Sequence, residues 1–223
     1  MSKNNVFLTT VSVVIIFAFL IIVYIASNPT GSTDTQVYTQ LQKVLPADHV
    51  KWGIGKKNVL VEFSDFQCPA CGNFHQLLKT YEASGSADAK VASNIAFVYK
   101  HFPLENIHKN ARIAAYAAEA AGKQGKFFEM GNLLFDNQRL WENESNPTPI
   151  FESYVKELKL DLAQYRVDVK SSDVQNKIDG DLVLGNQVKV NATPSFYLNG
   201  KKLEYTTLAE FKNALTAALA TAK

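Results

Sequence analysis

The fold of this 223-residue chain is decided by one stretch, Val59-Leu60-Val61-Glu62-Phe63-Ser64-Asp65-Phe66-Gln67-Cys68-Pro69-Ala70-Cys71. It starts with an apolar run that only Glu62 interrupts, a pattern typical of a central strand buried on both faces of a sheet. Two cysteines follow, and apolar residues at helical spacing after them predict a helix over residues 69–81. A C-x-x-C pair between a strand and a helix is the arrangement of a thiol–disulfide redox site.

Cys68 and Cys71 are the only cysteines of the chain, so they would form a single redox centre. Cys68 lies at the N-terminus of the predicted helix, where backbone N–H groups and the helix dipole favour a thiolate. We interpret Cys68 as the nucleophile of an exchange through a mixed disulfide, and Cys71 as the partner that opens or closes the internal bridge. The alternatives are an inert disulfide and a zinc site with His75. Zinc needs about four ligands, and no second C-x-x-C occurs, so no metal is expected.

Glu62 is the one charged residue in the apolar strand, six residues before Cys68. A buried carboxyl group has a raised pKa, so it can accept or release a proton near neutral pH. We interpret Glu62 as the group that transfers protons to and from Cys71. The alternative is a solvated glutamate at the edge of the sheet.

Residues 6–26 form an almost wholly apolar run without charge, which as a helix would roughly match the ~30 Å hydrocarbon core of a membrane. The run predicts a transmembrane anchor, preceded by a cytoplasmic stub at 1–5 and followed by a linker at 27–47. A cleaved signal peptide is the alternative, although such peptides have an apolar region of only about 7–15 residues. Either way residues 48–223 are predicted to be exported, to a compartment where disulfides persist.

Along the rest of the chain, the spacing of apolar residues changes from a strand-like period of two to a helical period, and then back to the strand-like period. Strands are predicted at 48–52 and 95–99, a helical block at about 105–187, and then a hairpin with Asn199-Gly200 at its turn. Thr207 and Glu210 have the spacing of a capping box that starts a last helix. Within the block, helices are expected at 111–121 (with Gly122 just past its end), 127–135, 149–158 and 172–187. The order β-α-β, helical block, β-β-α is that of an α/β domain with a thioredoxin-like fold and a helical insertion.

Three segments resemble one family. VLVEFSDFQCPACGNFH at 59–75 is similar to the active-site segment of the DsbA-like family of extracytoplasmic thiol oxidoreductases. YKHFPL at 99–104 resembles the segment after the second strand in membrane-tethered, BdbD-type members, and ATPSF at 192–196 resembles the cis-proline segment. The resemblance implies that Pro194 is cis and packs beside the disulfide, while the backbone of Thr193 receives an extended substrate as an added strand.

Further substrate contacts are assigned to Pro69, Ala70 and Phe66, with a place in the core as the alternative for Phe66. Many members carry a histidine where this chain has Ala70. Because that histidine helps to stabilise the thiolate, its absence implies a milder oxidant.

We hypothesise a membrane-tethered disulfide oxidase that gives its disulfide to reduced, newly exported proteins. The resemblance alone implies a quinone-linked membrane oxidase of the DsbB or BdbC type as its redox partner. No cofactor is expected, and the chain is expected to be a monomer. The net charge of +2 and the scattered basic residues do not indicate nucleic-acid binding. The alternatives are a reductase or isomerase that a membrane donor keeps reduced, and a redox-inactive chaperone.

Overall fold

Five strands form one sheet in the computed structural model, which describes residues 36–82 and 87–220. The strands lie in the order β1-β3-β2-β4-β5; β2 and β3 are parallel, and the other pairs are antiparallel. Their bounds are β1 (His49–Val50), β2 (Asn58–Ser64), β3 (Ile95–His101), β4 (Ser195–Leu198) and β5 (Lys201–Lys202). Strand β2 is therefore central, as its apolar run predicts.

Helices cover both faces of this sheet and fill the long connection between β3 and β4. Their bounds are α1 (Pro69–Glu82), α2 (Ala87–Ala92), α3 (Ala111–Gly122), α4 (Phe127–Asp136), α5 (Gln138–Trp141), α6 (Thr148–Glu157), α7 (Leu162–Asp168), α8 (Ser172–Gln187) and α9 (Leu208–Ala220). Helices α3 to α8 form the insertion. The predicted thioredoxin-like α/β fold with a helical insertion is confirmed.

Every residue of β2 and β3 is buried, and successive side chains pack on opposite sides. Val61 and Phe63 pack on one side against Tyr197 of β4. Leu60 packs on the other side, in a cluster with residues of α1 and α9. A separate core lies inside the insertion around Trp141, and Phe66 belongs to it.

Two local signals near the C-terminus have the predicted geometry. Asn199 and Gly200 have φ angles of 51° and 80°, the left-handed values that a type I′ turn requires. The N–H of Glu210 donates to Thr207 Oγ1, and the N–H of Thr207 donates to Glu210 Oε2, both at 3.2 Å. These two pairs form the reciprocal bonds of a capping box.

The prediction that Gly122 lies past the end of its helix is wrong. Helix α3 includes Gly122, and the left-handed turn follows at Gly125, where φ is 75°. Tyr38 and Leu41, in the predicted linker, are buried against the side of the sheet that holds Val61, so the folded part begins earlier than predicted.

Among residues 36–82 and 87–220, no helix has the length and apolar character needed to cross a membrane. The predicted anchor at 6–26 lies outside these residues.

Candidate active site

The two cysteines lie at the start of α1, where the chain leaves the central strand. Cys68 immediately precedes the helix and is 6% exposed, whereas Cys71 is in the first turn and is fully buried. Both are free thiols. The exposed Pro69 and Ala70 separate them. A molecule that approaches this end of the helix therefore reaches Cys68 first.

The surroundings of Cys68 stabilise its thiolate. A hydrogen bond from the Cys71 thiol, helped by the backbone N–H groups of Cys71 and Ala70, outweighs the effect of burial and lowers the pKa of Cys68 from 9.0 to about 6. Burial raises the pKa of Cys71 well above 9.0. At neutral pH Cys68 is therefore mostly ionised, while Cys71 keeps its proton.

Glu62 lies on β2, beneath the active-site helix, and is 3% exposed. Burial raises its pKa from 4.5 to about 7, although Ser64 and Lys51 favour the ionised form. The Glu62 carboxylate in turn contributes to the raised pKa of Cys71. Because β2 is the central strand, the alternative of a solvated edge glutamate is wrong.

A cavity of about 30 Å³ lies beside Glu62, with Lys51 and Tyr99 in its wall. A space of this size accommodates one water molecule, which needs polar partners such as these. The cavity gives the buried carboxyl group of Glu62 room for a water-mediated exchange of its proton.

The loop before β4 faces Cys68. The Thr193–Pro194 peptide bond is cis, as the resemblance implies. When Cys68 is protonated, its thiol donates a hydrogen bond to the carbonyl oxygen of Thr193 across 3.3 Å. Thr193 and Pro194 are thus brought to the redox pair from the opposite end of the sequence.

Phe66 and His75 flank the cysteine pair in the sequence, and both side chains are buried. Phe66 is 2% exposed and its ring stacks on Tyr99 at a centroid distance of 5.1 Å, so it belongs to the core and its assignment to substrate contact is wrong. His75 Nε2 lies 3.2 Å from Asp136 Oδ1, and burial lowers the pKa of His75 to about 4. The described ranges contain no cluster of three or more His, Cys, Asp and Glu side chains suited to a metal ion.

Asp65 is a structural part of the site that sequence reasoning missed. It is 1% exposed and its carboxylate accepts hydrogen bonds from the N–H groups of Gln67 (2.7 Å) and Leu104 (2.9 Å). Its other contact is His108 Nδ1, at 2.7 Å. The first bond joins residues two apart, an Asx-turn pattern that the sequence D-F-Q is compatible with. The carboxylate ties the active-site loop to the segment that follows β3.

Comparisons with known proteins support the fold. A family model described as Thioredoxin matches residues 53–217. The Na(+)/H(+) antiporter NhaA 1 of Mycobacterium sp. (strain KMS) is 33% identical over 160 residues, which is 70% of this chain but 24% of the antiporter. The chain thus spans about a quarter of the length of the curated relatives it matches.

Two solved structures share the fold at lower sequence identity. Wolbachia pipientis alpha-DsbA1 is 21% identical with a TM-score of 0.68, covering 82% of this chain and 96% of that one. Oxidised BdbD from Bacillus subtilis is 21% identical with a TM-score of 0.66, covering 83% and 96%. At this identity the likeness establishes the shared fold.

Proposed function

The chain belongs to the thioredoxin family, and on this premise we propose that it is an exported oxidase that transfers the Cys68–Cys71 disulfide to reduced proteins. The enzyme class, dithiol–disulfide exchange, is supported by the match to the thioredoxin family and by the free Cys68 and Cys71 thiols at the start of α1. The direction of electron flow, the exported location and the partners belong to the proposal.

The direction of electron flow is supported by the opposite pKa shifts of the two thiols. The pKa of Cys68 is lowered to about 6, while that of Cys71 is raised. A stabilised Cys68 thiolate favours the reduced enzyme over the disulfide, and it is also a good leaving group. Both effects favour donation of the disulfide to a substrate.

The exchange then proceeds in two steps. A substrate thiolate attacks Cys68 Sγ, the Cys68–Cys71 bond breaks, and Cys71 leaves as a thiolate that takes a proton. Glu62 supplies this proton, because its pKa of about 7 lies below the raised pKa of Cys71. A second substrate thiolate attacks the substrate sulfur of the mixed disulfide and releases the Cys68 thiolate. The substrate is oxidised by two electrons and the enzyme is reduced.

Substrate contact is proposed for the surface around Cys68. Pro69 and Ala70 are exposed beside the thiol, and the Thr193 carbonyl lies within hydrogen-bond reach of it. An extended substrate that pairs with the backbone at Thr193 brings its own cysteine to Cys68.

Export is supported by the apolar run at 6–26 and by the resemblance to extracytoplasmic enzymes. Reoxidation by a quinone-linked membrane oxidase of the DsbB or BdbC type is supported by the resemblance. Labelling of Cys68 in intact cells by a reagent that cannot cross the membrane tests the location. Labelling only after lysis would contradict export.

The direction is tested by equilibrating the full chain, in detergent, with glutathione buffers and by following oxidation of a reduced two-cysteine peptide. We expect a reduction potential between about −120 and −200 mV. We also expect loss of oxidation in Cys68→Ser and a trapped mixed disulfide in Cys71→Ser. A potential near about −270 mV would favour the reductase alternative. Peptide binding without any oxidation would favour the chaperone alternative.

A further inference from the structure

The insertion reaches the active-site loop through one glutamine side chain. Gln138 is the first residue of α5, and its Nε2 donates to the carbonyl oxygens of Phe66 (2.8 Å) and Cys68 (3.1 Å). The Cys68 carbonyl also accepts the N–H of Gly72 at 3.1 Å, the first hydrogen bond of the active-site helix. One donor of the insertion and one of the helix therefore hold the same carbonyl.

The short helix α5 that carries Gln138 is itself held by hydrogen bonds to its neighbours. The indole N–H of the fully buried Trp141 donates to the carbonyl of Leu134 at 2.9 Å, which fixes α5 against α4. Asn110 Nδ2 donates to the carbonyl of Trp141 at 3.0 Å, which fixes α5 to the start of α3.

A second glutamine strengthens the same connection from the other side. Gln67, directly before Cys68, accepts the N–H of Asn110 at 2.7 Å and donates from Nε2 to the carbonyl of Glu142 at 2.7 Å. We call Gln67, Asn110 and Gln138 the amide clamp. Because Gln67 is buried and its amide is satisfied on both sides, the loop before Cys68 is tied to the insertion at two points.

We propose that Gln138 is a positioning residue for the exchange reaction, which holds the Cys68 carbonyl so that Cys68 Sγ stays aligned with the N–H groups of Ala70 and Cys71. Its N–H also offsets the negative end of the carbonyl dipole beside the thiolate. The inference rests on the proposed exchange at Cys68 and is independent of the direction of electron flow.

The test replaces Gln138 with methionine, which keeps the length of the side chain but has no N–H donor. The full chain, unmodified and Gln138→Met, is titrated by the ultraviolet absorbance of the Cys68 thiolate and equilibrated with glutathione. We expect the thiolate equilibrium constant to fall about three- to tenfold, because a Cys68 carbonyl that is no longer held lets the thiolate move out of line with the N–H groups that stabilise it. The glutathione equilibrium should shift by the same factor toward the disulfide form. Gln138→Glu, which also lacks the donor and adds negative charge, should shift both constants further the same way.

Gln124 provides the matched control within the insertion. Its side chain also bridges backbone groups, donating to the carbonyl of Asp161 (3.0 Å) and accepting the N–H of Asp161 (2.8 Å), away from the cysteines. Gln124→Met should lose stability and keep the thiolate midpoint of the unmodified chain. If neither Gln138 variant moves the midpoint beyond that of Gln124→Met, the positioning role is excluded. If Cys68 of the unmodified chain titrates near the ordinary thiol pKa of about 8.5, that result would instead contradict the proposed function.

Discussion

Glu62 places a carboxyl group in the centre of the sheet, where ionisation opposes folding. Its pKa is raised from 4.5 to about 7, so its contribution to stability is fully present below pH 4.5 and is lost as the pH rises through 7. Glu62→Gln removes this loss, and we expect it to stabilise the chain by up to about 3 kcal/mol above pH 7. Below pH 4.5 the difference should disappear. Urea unfolding as a function of pH measures both.

The same variant separates stability from function. Glu62→Gln should leave attack on Cys68 intact, but it should slow protonation of Cys71 during formation of the mixed disulfide and remove the pH dependence of that step near 7. The exposed glutamate Glu157 serves as the control. If Glu157→Gln and Glu62→Gln behave alike in both measurements, Glu62 has no part in proton transfer.

The Cys68 thiolate depends most on the thiol of its neighbour, because the hydrogen bond from Cys71 is the largest cause of its lowered pKa. Alkylation of Cys68 in the reduced chain should therefore have a midpoint near pH 6. We expect Cys71→Ala, which removes the donor, to move the midpoint upward by about one pH unit or more. Cys71→Ser keeps a hydroxyl donor and should stay closer to the unmodified chain. An unchanged midpoint in Cys71→Ala would mean that the helix N-terminus alone stabilises the thiolate.

At the scale of elements, Asp65 joins the loop before α1 to the loop after β3. Its carboxylate accepts the N–H groups of Gln67 and Leu104 while it is 1% exposed. Asp65→Ala leaves both N–H groups buried without an acceptor, and each unsatisfied donor costs about 1–3 kcal/mol of stability. We expect a total loss of about 3 kcal/mol in the free energy of unfolding.

Asp161 is the matched control for that prediction. It also accepts two backbone N–H groups, those of Ala163 (2.8 Å) and Gln164 (3.0 Å), but it is an exposed N-cap of α7. Water replaces the lost acceptor there, so Asp161→Ala should cost about 1 kcal/mol. Urea unfolding measures the free energy of unfolding of both variants. Equal losses would show that the burial of Asp65 does not add to the cost of removing its carboxylate.

The elements divide into those that local sequence specifies and those that distant packing specifies. The Asn199-Gly200 turn and the capping box at Thr207 and Glu210 follow from the residues themselves, and the structure has both. The sequence does not predict helices α2, α5 and α7, because they have 4 to 7 residues and too few turns for a hydrophobic period. Helix α5 owes its position to the burial of Trp141 in the core of the insertion.

The residues of the candidate site also divide into those that local sequence predicts and those that only the folded chain brings together. The cysteine pair and Glu62 lie within ten residues of each other, so spacing in the sequence was enough to predict them. The partners of the amide clamp are 43 residues apart for Asn110 and Gln67, and 72 for Gln138 and Phe66. Glutamine and asparagine are common in loops, and only the folded chain shows which carbonyl each one faces.

At the scale of the whole folded part, one buried carboxylate joins the insertion to the sheet. Glu119 on α3 is 6% exposed and lies 2.9 Å from His49 Nε2 and 2.7 Å from His101 Nε2. These histidines belong to β1 and β3, so a single side chain bridges two strands and a helix of the insertion. The ring of His49 also stacks on Phe127 of α4, with ring centroids 3.5 Å apart.

This junction should make the chain sensitive to acid. Burial lowers the pKa of His101 below 6.5, so the contribution of His101 to stability is present above pH 6.5 and is lost as the pH falls. Burial opposes ionisation of Glu119, but the hydrogen bonds from His101 and His49 prevail and hold its pKa well below 4.5. Its contribution is therefore present above pH 4.5 and declines on further acidification.

We expect Glu119→Gln to cost about 2–3 kcal/mol at pH 7, because it removes a charge-assisted acceptor and buries an amide N–H₂ group in its place. The variant should also lose less of its remaining stability below pH 4.5 than the unmodified chain does. Thermal unfolding over a pH series measures both effects. Glu105, whose exposed carboxylate lies 2.7 Å from Arg112, is the control, and Glu105→Gln should change stability by no more than about 1 kcal/mol. If Glu119→Gln and the unmodified chain decline in parallel below pH 4.5, the acid response does not arise at this junction and the two histidines must be replaced in turn to locate it.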